Sequence, residues 1–117
     1  MKLADIVRKL DASVLAGSDR LGLEITRCGA SDLMSDILAS LADGSLLLTG
    51  LATLQTVRTA SIAGVGAIVL VRGKTPPADV RELAATQGLP LISTPLSMFV
   101  ACGRLHACGL TGLNGNR

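Results

Sequence analysis

Three groups of polar residues stand where an apolar run gives way to a helical pattern. Thr49, Gly50, Thr53, Gln55 and Thr56 follow one run, Arg72, Gly73 and Lys74 a second, and Ser93, Thr94 and Ser97 a third. Hydroxyls, two cations and the free N–H groups of helix starts are what an anion requires. In open parallel sheets ligands bind at the carboxyl ends of the strands, where such groups gather. These positions are therefore the candidate ligand site. The ligand class they suit is a nucleotide or another small anionic metabolite, held by Arg72 and Lys74 and by the hydroxyls.

Other motifs carry less. Gly73-Lys74-Thr75 matches the end of a phosphate-binding P-loop, but the first glycine of that loop falls at Ile68, inside an apolar run. Gly64-Val65-Gly66 precedes a strand, the wrong side for a dinucleotide fingerprint. Cys102, His106 and Cys108 form C-x3-H-x-C, with Cys102 and His106 four apart on one helix. A structural zinc site uses four ligands, so no metal and no cofactor is expected. Asp32 and Asp36 share a helix face, which reads as a solvated edge. No carboxylate pair and no nucleophile–base–orienter set stands out, so no catalytic residue is assigned.

The elements that must position these residues follow from periodicity. Leu3, Ile6, Val7 and Leu10 mark a short amphipathic helix. Residues 13–16 and 24–30 read as extended, and the two suggest a small hairpin beside the main sheet. Ser31 reads as the N-cap of a helix with Asp32 in its first turn and Leu33, Met34, Ile37, Leu38 and Leu41 inward. Residues 46–49, 67–71 and 91–94 are strands. The first two are continuously apolar, as parallel strands covered on both faces are. Between them lie a helix over 54–63, with Leu54, Val57 and Ala60 inward and Gln55, Thr56, Arg58 and Thr59 outward, and a helix after Pro77 ending at Gly88. Ser97 caps a last helix, with Met98, Ala101, Cys102 and Leu105 inward. Phe99, near the start of that helix and by the candidate site, is read as a plug in the core, with the one large apolar contact for a ligand as the alternative. The strand–helix alternation predicts a single α/β domain, with a small, mainly parallel sheet flanked by helices on both faces. Residues 1–110 form that domain, and residues 111–117 are expected to be a flexible tail.

Composition narrows the function classes. The chain has 117 residues, 11 basic and 9 acidic, with one aromatic side chain. So balanced a charge gives no footprint for nucleic acid, and one aromatic gives no stacking platform. Three cysteines, an odd count without a disulfide framework, fit a reducing compartment. The longest apolar window, residues 60–71, is too short for a membrane span, and the charged N-terminus is no signal peptide. The expected location is cytoplasmic, with no membrane partner.

The pattern resembles the DRTGG domain, also seen as the N-terminal-like domain of HPr kinase/phosphorylase. The residues that carry the resemblance are Ser31-Asp32-Leu33-Met34-Ser35-Asp36, Leu46 to Thr49, Leu54-Gln55-Thr56, Ala67 to Gly73 with Pro76, Ala84 to Thr94, Ser97-Met98-Phe99 and Gly103-Arg104-Leu105. It covers residues 1–110. The resemblance implies a fold similar to the N-terminal domains of Mur ligases, and a non-enzymatic regulatory or interaction module that forms a homodimer. Relatives accompany CBS domains in regulated pyrophosphatases. Stand-alone members, as this chain is read to be, are encoded near hydrogenase genes. That setting implies a redox-enzyme or hydrogenase-related protein partner. Kinase activity does not carry over, because in HPr kinase it belongs to a separate P-loop domain. The chain departs from the family where an acidic–basic pair is expected after Gly50 and a double glycine after the central strand; it has Leu51-Ala52-Thr53 and Arg72-Gly73-Lys74 there.

Overall fold

The computed structural model describes residues 1–40 and 43–112. Its centre is a pair of parallel strands, β3 (Leu46–Thr49) and β4 (Ala67–Leu70), in which every residue is buried. Side chains alternate across a strand, so such a pair feeds two cores. Leu46, Leu48, Ala67 and Val69 pack on one face with Leu3, Ile6, Leu10, Ala101 and Leu105. These come from α1 (Leu3–Lys9) with its C-cap Leu10, and from α5 (Met98–Ala107). Leu47, Ile68 and Leu70 pack on the other with Ile37, Val57, Ala60, Val80 and Ala84. Those come from α2 (Met34–Ser40), α3 (Leu54–Ala63) and α4 (Ala78–Thr86). The result is the expected α/β sandwich, a six-stranded and mostly parallel sheet between two helical layers.

The outer strands are β5 (Leu91–Ser93) and β1 (Ser13–Ala16) on one side, and β2 (Arg27–Ala30) and β6 (Thr111–Gly112) on the other. The order across the sheet is β1-β5-β4-β3-β2-β6. Only β1 runs antiparallel, against β5, with a register shift between Val14 and Ala16. The hairpin expected from residues 13–16 and 24–30 does not form. Its two strands lie on opposite sides of the sheet, because β1 finds its partner in β5 and β2 finds its partner in β3. The residues between them pass along α1, where Leu3 N and Ala4 N donate to the carbonyls of Leu23 and Leu21.

Local chemistry sets the helix ends. Thr53 caps α3 by accepting from Thr56 N, and Ser97 caps α5 by accepting from Val100 N. Gly64 ends α3 in the left-handed region at φ 79°. Several burial assignments differ from the periodic pattern. Thr56 and Thr59, expected outward, are buried, because α3 packs between α2 and α4 as well as on the sheet. Leu33 and Leu38, expected inward, are exposed, and Ile37 alone of the α2 leucine and isoleucine positions described is buried. Leu41 lies outside the described residues. Phe99 is not a plug; it is 88% exposed on α5. Thr111 and Gly112, read as the start of a tail, pair with Arg27 and Cys28 as β6, and residues 113–117 lie outside the described part. Among the described residues no helix is long and apolar enough to cross a membrane.

One close approach fixes the β1 edge. Gly17 sits at φ 83°, and a Cβ there would lie 2.7 Å from the Pro90 Cα. Gly22 has open space around it and no positive φ. Gly17→Ala is therefore expected to cost about 1–3 kcal/mol. Gly22→Ala is expected to be neutral or to stabilise by about 0.4–1 kcal/mol. Urea unfolding of the two variants beside the parent chain measures the contrast.

Candidate functional site

The carboxyl ends of β3, β4 and β5 do meet at one rim, and the sequence-derived residues divide there into two sets. The first set gathers around a carboxylate that the sequence reading had placed in a helix. Asp32 lies before α2, between it and the end of β2. Its Oδ1 accepts from the Thr49 hydroxyl at 3.0 Å and from the Gly50 N–H at 2.7 Å. Arg72 brings Nη2 to 3.8 Å from Asp32 Oδ2. Arg72 itself sits at φ 63°, with Gly73 at φ 66°. Their N–H groups donate to the Leu96 and Thr94 carbonyls, each at 2.8 Å, which ties this turn to the chain leaving β5. The guanidinium covers Gly50 so closely that a Cβ there would collide with it. A side chain at 50 would have to push the guanidinium, the far end of a flexible side chain, off its place over the Asp32 turn.

Thr53 and Thr56 form a second pair, with their Oγ1 atoms 3.0 Å apart, just inside the start of α3. Gln55 is exposed on the same turn. The remaining candidates use their polar atoms elsewhere. Ser93 donates to the Lys74 carbonyl at 2.8 Å. Thr94, fully buried, donates to the Leu10 carbonyl at 2.6 Å, tying β5 to the end of α1. Ser97 caps α5. Lys74 is exposed. The structure therefore brings Thr49, Gly50 and Arg72 together around Asp32, sets Thr53 and Thr56 at the head of α3, and turns the β5 hydroxyls to structural work.

The electrostatics follow from these contacts. The Gly50 N–H bond holds the Asp32 carboxyl below its ordinary value, with help from Thr49 and Arg72 and against a smaller opposing effect of burial. Asp32 is therefore an ionised acceptor at neutral pH, poorly suited to proton transfer. Missing it from the sequence had a physical reason. Ser-Asp before a helix has a local explanation in capping and dipole terms, and Thr49 is 17 residues away.

The C-x3-H-x-C group is spread along α5 and its end, where Cys108 is the C-cap residue. Cys102 and His106 instead face a cavity that Cys28 of β2 shares. Among the described residues no three His, Cys, Asp or Glu side chains assemble as metal ligands.

The DRTGG domain profile matches residues 5–108. The chain belongs to the DRTGG domain family. A similar fold is found in the crystal structure of the CBS and DRTGG domains of the regulatory region of Clostridium perfringens pyrophosphatase, complexed with the activator diadenosine tetraphosphate. The TM-score is 0.73 at 18% identity, over 89% of this chain and 45% of that one. This DRTGG chain thus spans less than half of that regulatory region. No curated protein sequence matches it.

Two measurements test the chemistry described. A depressed folded pKa stabilises the fold fully above the ordinary value of 3.8, and the gain is lost as pH falls through the folded pKa. Asp32→Asn is expected to be less stable than the parent at pH 7, with the gap closing below pH 3.8, as urea midpoints across that range would report. Burial, with Cys102 nearby, pushes the Cys28 thiol up to about 11 from 9.0. Its thiolate fraction at neutral pH is then about a hundredfold below that of an ordinary thiol. Mass-spectrometric alkylation kinetics should show Cys28 protected in the folded chain and released in urea.

Proposed function

We propose that this DRTGG domain is a non-catalytic regulatory and interaction module that acts as a homodimer. The observation that carries this reading is the apolar surface. The chain's one aromatic, Phe99, is 88% exposed on α5 beside exposed Val100; Ile62, 79% exposed on α3, stands on the other helical layer and is a separate exposed side chain. Apolar side chains left outside a core of this quality suit a surface that another protein covers. A second copy is the simplest partner, because closed twofold pairs dominate soluble assemblies. The regulatory origin of the similar pyrophosphatase region supports the same reading.

A second reading has its own observation. Arg72 is half exposed, its ion pair with Asp32 is long at 3.8 Å, and it stands beside the head of α3. That arrangement favours a small anionic ligand, a nucleotide or phosphorylated metabolite, sensed at the rim. The similar pyrophosphatase region is complexed with a dinucleotide activator, which belongs to the same chemical class.

Light scattering after size exclusion at micromolar concentration is expected to give the mass of two chains. Covering one phenyl ring is worth about 1.5–3 kcal/mol, so Phe99→Ser should weaken self-association about tenfold or more. A strict monomer at every concentration sinks the dimer. For the second reading, a ligand at 100 times its dissociation constant adds about 2.7 kcal/mol to the folded state. A thermal-shift panel of nucleotides and phosphorylated metabolites should contain a stabilising compound whose effect Arg72→Ala removes.

A further inference from the structure

On the face away from α2, α3 and α4, α5 does not close fully onto the sheet edge. A cavity of about 190 Å³ lies between Leu105 and Cys102 of α5, Leu48 of β3, Cys28 and Ala30 of β2, and Leu110 before β6. His106, Thr111 and Gly112, all exposed, mark its mouth. The site is separate from the Asp32–Arg72 rim and shares none of those residues.

The walls decide what fits. Among the described residues no Lys, Arg, Asp or Glu lines the cavity, so no such charge faces a guest there. Cys28 and Cys102 both have thiols pushed up by burial. They are neutral S–H groups at physiological pH and behave as small apolar surface. The site opens to solvent at its mouth, but its inner walls are mostly apolar, so water there finds few partners and an apolar guest displaces it at little cost. A dry cavity of roughly 150 Å³ lined by aliphatic side chains accepts benzene. A drug-sized ligand needs roughly 300 Å³ or more, so the guest here is small.

We propose that this cavity is a binding site for a small uncharged apolar molecule, about the size of a single aromatic ring, seated between α5 and the β2–β6 edge. The guest touches three elements that meet here through Leu48, Leu105 and Leu110 of one core cluster. Among the described residues β6 pairs with β2 at two positions, Arg27↔Thr111 and Cys28↔Gly112, and Thr111 also bonds the Thr26 carbonyl. Filling the gap joins α5 to both strands and slows opening of the segment that runs from Leu110 into β6. Occupancy thereby becomes a signal carried by α5, the helix that also bears exposed Phe99.

Gly112 offers a clean block. It pairs with Cys28, so its side-chain direction shares the cavity face, and a Cβ there meets nothing within 4 Å. Toluene is the probe, titrated into the full chain while amide shifts are followed by NMR. Saturable shifts are expected at Cys28, Cys102 and Thr111, with slower amide exchange at Leu110 to Gly112. Gly112→Phe should raise the apparent dissociation constant about tenfold or more while leaving amide shifts remote from this edge unchanged. Intermolecular NOEs from toluene to the Leu48, Leu105 and Leu110 methyls locate the guest without any variant. Absence of saturation up to the solubility limit, NOEs to other residues, or unchanged binding in a folded Gly112→Phe chain each overturn the proposal. So does a zinc titration that shifts the same amides and displaces toluene, since the cavity would then be a thiol–metal site. The oligomeric state is read from separate samples, so failure here leaves the dimer untouched.

Discussion

Burial of β3 and β4 on both faces is the constraint from which the rest of the molecule follows. Eight residues in two strands show no surface, so each strand needs a helix layer above and another below. Parallel neighbours cannot be joined by a tight turn, and the connection must cross over one face. α3 and α4 supply those crossovers. Each return brings the next strand in at the same end, so the carboxyl ends of β2, β3, β4 and β5 collect at one rim. The same burial makes Thr49 a problem. Its hydroxyl has no access to water, and an unpaired buried hydroxyl costs about 1–3 kcal/mol. Asp32 answers it, and in doing so it fixes where the chain between β2 and α2 must lie.

What was legible in the sequence was what local rules determine. The bounds of α3, β3 and β1 agree with their apolar runs, and helix ends carry adjacent punctuation: Ser97 before α5, Gly64 after α3 and Gly88 after α4. The two-sided sheet was readable because continuous apolar strands have few other uses. Pairing partners were not readable. A strand's alternation states that it has an inner face but not which edge of the sheet receives it, so residues 13–16 and 24–30 looked like neighbours. Burial in α3 was misjudged for a related reason. A stripe about 100° wide describes a helix packed on one surface, whereas α3 is held by the sheet and by two helices. Phe99 looked like core by residue type alone, since nothing local distinguishes an aromatic that covers a core from one that stands outside it.

The candidate rim was legible as a place and not as a network. Strand ends and helix starts put the polar residues near one another, as fold topology requires. Which of them keep a hydrogen bond for a ligand depends on contacts across the fold. Thr94 reaches back to Leu10, 84 residues away, and Thr49 reaches Asp32. Sequence spacing contains neither pairing, and both remove a hydroxyl from the rim.

That accounting bears on where recognition is energetically easy. Among the described residues no buried side-chain nitrogen or oxygen lacks a partner. A ligand taking the proton that Thr49, Ser93 or Thr94 donates must first break an internal bond, and the group left behind loses more than an average hydrogen bond returns, whereas the exposed Ser97 hydroxyl only accepts, from Val100 N, and keeps its O–H. The cations differ: Lys74 is exposed, and Arg72, at 3.8 Å from Asp32 and half in solvent, gives up little by turning to another anion. Apolar recognition has no such competition. Phe99, Val100 and Ile62 are already in water, and covering them gains free energy with nothing to break. Contacts to the outward apolar side chains and to the rim cations are thus the ones that cost the fewest internal bonds.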